Sequence, residues 1–215
     1  MSSTFRFLTR LNLVELLGRQ AKNAHELLAG LQAAPESSVY YHTHRFIQQH
    51  QFLSPEPPND FAFWVTHALS QDALGEELAA VDIIGMRSLE SLRGTFLDIL
   101  GRALGGQTAW TCDCQAGEEF HFMSCRTFIL PTSYEARNLK EFREIVQKIS
   151  INSLYFHVFE ARLRLEKGEN DFANWFEKIG EGDLAREISR LDPYTVTLEG
   201  LRKIIVQRVS SHVKD

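Results

Sequence analysis

The chain carries three phrases twice, in the same order. With the sequence shifted along itself by 115 positions, Phe5 and Phe7 meet Phe120 and Phe122, Ala21 and Asn23 meet Ala136 and Asn138, and Ser38, Tyr40 and His42 meet Ser153, Tyr155 and His157. Further on, "NDFAFW" from Asn59 matches "NDFANW" from Asn170, and "LESLR" from Leu89 matches "LEGLR" from Leu198. Repetition of this kind constrains the fold more than any local propensity, because each copy must bury a face that it cannot cover alone. The expected organisation is a tandem duplication with a first repeat at 1–100 and a second at 120–215. Between them lies a linker at 101–119 that holds Gly101, Gly105, Gly106 and Gly117. The repeats are two units or parts of one compact domain.

Each copy opens on alternating apolar positions, "FRFLTRLNLVEL" and "FHFMSCRTFIL", which predict one short N-terminal strand. Helices follow. Ala24, Leu27, Leu28 and Leu31 make an apolar stripe in the first copy, and Leu139, Phe142, Ile145, Val146 and Ile149 make one in the second. The Asn-Asp pairs at Asn59 and Asn170 read as helix starts, as do Ser88 and Thr197, whose side chains are able to accept from free first-turn amides. The predicted fold is mainly α: a duplicated helical unit related by an approximate two-fold, with a groove at the pseudo-axis as the place to bind.

The combination of "SLYFHVFEARLRL", "NDFANWF" and "LDPYTVTLEGLR" resembles an uncharacterised family of bacterial and archaeal proteins, classed as a domain of unknown function. The likeness spans most of the chain and implies no particular activity.

Composition narrows the partners. A net charge of -5 supplies no broad electrostatic footprint for a phosphate backbone, so nucleic acid is not the expected partner. No run reaches the length of a membrane span, and Arg6, Arg10, Glu15 and Arg19 interrupt any signal-like apolar stretch, so the expectation is a cytoplasmic protein. The three cysteines, Cys112, Cys114 and Cys125, are odd in number and clustered, unlike a secreted disulfide framework.

Candidate site residues begin with His42 and His157, which both copies keep. Helical spacing turns them toward the core beside Val39 and Leu154, where a buried imidazole needs a partner that Asp60 or Asp171 is placed to supply. Trp64 and Trp175 are core anchors or ligand-stacking surfaces. His44, His50 and His67 occur in the first copy alone and, with His42, form the alternative metal set, for zinc or iron, with His157, Asp60 or Glu160 as further members. None of the eight histidines lies three or four residues from another, so no helix carries the His-x-x-x-His clamp. The set Cys112, Cys114, His121 and Cys125 has zinc-ligand chemistry at irregular spacing. His157 and Glu160, near Arg162 and Arg164, read as a salt-linked helix surface in preference to a general acid/base pair.

With no phosphate-binding glycine loop and no nucleophile elbow, the expected function is non-catalytic: binding a protein partner or small ligand through His42, His44, His157, Trp64 or Trp175, with no cofactor. The alternative is a metal-dependent enzyme centred on the first-copy histidines.

Overall fold

The computed structural model describes residues 4–49, 57–105, 112–161, 163, 170–192 and 195–213. The chain opens with strand β1 (Phe5–Ala21), followed by α1 (Ala24–Ala33), α2 (Glu36–Tyr40), a π-helical turn (Tyr41–Arg45) and α3 (Phe46–Gln49). Helices α4 (Asp60–His67), α5 (Asp72–Ala79) and α6 (Leu89–Gly105) precede strand β2 (Phe120–Ala136). Then come α7 (Leu139–Val146), α8 (Ile151–Tyr155), a second π-helical turn (Phe156–Glu160), α9 (Asp171–Lys178), α10 (Gly182–Ser189) and α11 (Leu198–His212).

The two strands correct the mainly helical fold with one short strand per copy. Each is 17 residues long, and the two pair antiparallel as a two-stranded sheet. No tandem duplication is evident in this architecture. The alternation that predicts a strand fades after Arg10, yet the strand continues, because cross-strand hydrogen bonds satisfy the backbone where neither face is buried. A ribbon exposed on both sides has no need of alternating polarity.

The chain forms two compact units, each drawing on both strands. The C-terminal unit contains residues 4–11 with the described residues of 127–213; the N-terminal unit contains 12–49 with the described residues of 57–126. In the C-terminal unit, Phe5 and Phe7 of β1 pack against Phe142, Phe172 and Trp175, with Phe142 stacked on Trp175 at 5.3 Å. In the N-terminal unit, Phe120 and Phe122 of β2 pack on His42, and Phe120 also meets Phe61 and Trp64. The early strand residues are thus core residues of helical clusters, and each large ring removes 150–250 Å² from water.

Local chemistry sets the helix boundaries. Asn59 Oδ1 accepts from the Ala62 amide at 2.9 Å, and Asn170 Oδ1 accepts from that of Ala173 at 2.8 Å. Their amide groups donate onward to the Leu78 and Ile188 carbonyls, so both caps are fully buried and also tie down the helix that follows. Ser88 and Thr197 cap α6 and α11 in the predicted way. Asn23 and Asn138, matched in the repeat but not read as caps from sequence, cap α1 and α7, while Glu26 and Glu141 reach back to the amides of Lys22 and Arg137. Gly101 and Gly105 are helical residues of α6.

Candidate functional site

His42 and His157 each lie in a π-helical turn, a local widening of the helix that often marks a functional position. Both are buried. His42 Nδ1 is 2.6 Å from Asp60 Oδ2, and His42 Nε2 accepts the Met123 amide of β2 at 2.9 Å. His157 repeats the pattern in the C-terminal unit, with Nδ1 2.7 Å from Asp171 Oδ2 and Nε2 accepting the Leu8 amide at 2.8 Å. Because a backbone N–H can only donate, Nε2 is the acceptor in both rings and Nδ1–H points at the carboxylate. These imidazoles use both nitrogens to hold a strand to a helix.

His44 and His67, the other described members of the expected metal set, have contacts of their own. His44 is buried with its ring parallel to that of Tyr40 at 5.6 Å. His67 is exposed, stacked on Phe63 at 4.2 Å, and its Nδ1 donates to the Phe63 carbonyl. His50, like Arg162 and Arg164, lies outside the described residues. Among the described residues, no three His, Cys, Asp or Glu side chains come together in a way that would hold a metal ion.

Glu160 departs from the predicted salt-linked surface. It is buried and forms an ion pair with Arg10 of β1, also buried, whose guanidinium donates as well to Thr127 Oγ1. Trp175 is enclosed by Phe5, Phe142 and Phe176. Trp64 is fixed differently: its indole N–H donates to the Glu118 carbonyl at 2.6 Å, and the residue borders a pocket.

That pocket belongs to the N-terminal unit and holds about 440 Å³, within the range of small-molecule sites. Tyr41, Phe63, Trp64, Phe120 and Met123 are the apolar and aromatic residues of its lining, Asp60, Glu118 and Glu119 are the acidic ones, and His67 and His121 join them. Sequence reading missed all of these except Trp64, Asp60 and the two histidines, because β2 and α4 meet only through the tertiary fold. In the C-terminal unit a second pocket of about 480 Å³ lies between α10 and α11, where Arg190, Arg208 and Glu187 give a mixed-charge lining.

The strands also present unburied apolar side chains. In the C-terminal unit Phe128, Ile129 and Leu130 are 50%, 50% and 45% exposed; in the N-terminal unit Leu13 and Leu16 are 60% and 59% exposed. A three-residue apolar run in a strand sends side chains to both faces, a break in alternation that the reading of "FHFMSCRTFIL" as an alternating strand passed over. Cys112 is exposed, Cys114 half-buried and Cys125 buried, all as free thiols. Burial pushes the Cys114 thiol up from its usual value, and the charge of Glu119 adds to the rise.

Among the described residues no helix is long and apolar enough to cross a membrane. No curated protein matches the chain. The solved structure of OrfY from Thermoproteus tenax is similar over 97% of this chain and 95% of that one, with a TM-score of 0.79 and 26% sequence identity. A model of the family described as a family of unknown function, DUF5752, matches residues 2–210. With nearly the whole sequence matched, the chain belongs to DUF5752, a family of unknown function.

Proposed function

We propose that the protein is a non-catalytic, cytoplasmic binding protein whose strands engage a partner protein. The observation that carries this reading is the exposed Phe128-Ile129-Leu130 run on β2. Among the described residues each strand has one neighbour in the sheet, and apolar side chains beside its other edge favour an added strand or an apolar partner face. Exposed apolar surface of this kind marks interaction sites in soluble proteins. His42 and His157 fit the reading as well, since each is satisfied within its own unit and rigidifies the strand.

The test compares the native protein with a Phe128→Glu/Leu130→Glu variant of unchanged circular dichroism, each used to capture partners from its own cell extract. A stoichiometric partner retained by the native chain and lost by the variant supports the reading. Equal capture by both proteins overturns it.

A further inference from the structure

We infer that the aromatic pocket of the N-terminal unit binds a small organic cation, an amine or quaternary ammonium carried on an apolar body. Its walls are Tyr41, Phe63, Trp64 and Phe120, and its carboxylates include Asp60 and Glu119. Among the described residues no lysine or arginine lines it. Aromatic rings carry negative charge on their faces and attract a cation within about 6 Å, most strongly where water is excluded. Carboxylates beside those rings add attraction for the same charge and repel an anion.

Two features hold the pocket ready. The indole of Trp64 is anchored by its hydrogen bond to the Glu118 carbonyl and packs edge-on against Phe120 at 5.6 Å. Glu119 is half-buried, with Oε2 accepting the Gly117 amide at 3.0 Å, and Asp60 is held by His42. A receptor organised before its ligand arrives loses less freedom on binding. Burial is the main cause of the raised thiol pKa of Cys114, and Glu119, Asp113 and Glu118 push the same way. A neutral ligand would gain from the apolar walls but would lack the charge attraction of the carboxylates. The cation uses both.

The experiment titrates the full chain with benzyltrimethylammonium, benzyl alcohol and benzoate by calorimetry, with the indole N–H signal of Trp64 followed by NMR. Saturable binding of the cation alone, with a shift of the Trp64 signal, is the expected result. Glu119→Gln and Phe63→Ala should each weaken it by about tenfold, as expected for loss of one charged or cation–π contact in a partly dry site. Phe63 is exposed and Glu119 lies outside the helices and strands, directly before β2, so both variants keep the core intact, which circular dichroism checks. Equal affinity for benzyl alcohol, full affinity in the folded Glu119→Gln variant, or no saturation at millimolar cation would each overturn the inference.

Discussion

Asp60 holds His42 from one side while a strand amide holds it from the other: Asp60 Oδ2 is 2.6 Å from Nδ1, and the Met123 amide donates to Nε2 at 2.9 Å. The ring therefore joins the start of α4 to β2 in its Nδ1–H form. Asp60→Ala leaves a buried N–H without its acceptor, and the expected loss is about 1–3 kcal/mol of stability. Asp171→Ala should cost a similar amount, because His157 is held the same way by Asp171 and the Leu8 amide. Urea titration followed by tryptophan fluorescence reads both; an unchanged midpoint in either variant would show that its histidine is not held by the carboxylate.

Breaking the buried Arg10–Glu160 pair should be the most damaging polar change. Both side chains are withdrawn from water, so Glu160→Ala strands a guanidinium charge inside the C-terminal unit, at an expected cost of about 3–5 kcal/mol. Replacing both partners, as Arg10→Met with Glu160→Leu, removes the stranded charge and should recover most of that loss. Denaturation curves of the two single variants and the double variant decide it; a double variant no better than Glu160→Ala would contradict the account.

Gly30→Ala reverses the usual preference of helices for alanine. An added methyl on Gly30 would sit 2.2 Å from Cζ of Phe122, a ring with no exposed surface to retreat into. The gain in helix propensity is about 1 kcal/mol, while overpacking a filled core costs about 1–3 kcal/mol, so the net effect should be destabilising. Thermal melting checks the sign: a raised midpoint would mean that Phe122 yields freely.

The three thiols should react in the order of their exposure and charge environment. Cys112 is exposed and should be alkylated first, Cys125 is buried and should wait for unfolding, and Cys114 should lag behind Cys112. Burial and the neighbouring Glu119 raise the Cys114 pKa, so its thiolate fraction at a given pH is reduced. Its alkylation rate should reach half-maximum at a higher pH than that of a free-peptide cysteine. In linkage terms the protonated thiol is favoured by the fold, so this contribution is present below the unfolded pKa and is lost as pH rises through the higher folded value. Peptide mapping of iodoacetamide-treated protein by mass spectrometry follows each site, and a Cys114 midpoint at or below the free-peptide value would reverse the argument.

Short-range features of this chain are written in its sequence, and long-range ones are not. The caps at Asn59, Asn170, Ser88 and Thr197 were legible because a cap and its amide are three residues apart, and so was the partnership of His42 with Asp60, since a buried imidazole near a helix start has few alternatives. The length of the strands was not legible. Alternation ends near Arg10, and what extends β1 to Ala21 is pairing with β2 more than a hundred residues away. Glu160 looked like a surface residue for the same reason, since its helix neighbours gave no hint of Arg10.

By itself, then, the sequence determined helix starts and the resemblance to an uncharacterised family, and it pointed to the two histidine–aspartate pairs, all of them set by short spacings or by motif. Tertiary structure decided which strand amide each histidine accepts, across 81 and 149 positions of chain, and which apolar strand residues stay in water. It also decided that Tyr41, Trp64 and Phe120 would share a pocket with Asp60 and Glu119. Spacing along a helix or strand fixes local geometry. Contacts between distant segments depend on how whole faces pack, and no local pattern in this sequence encodes that.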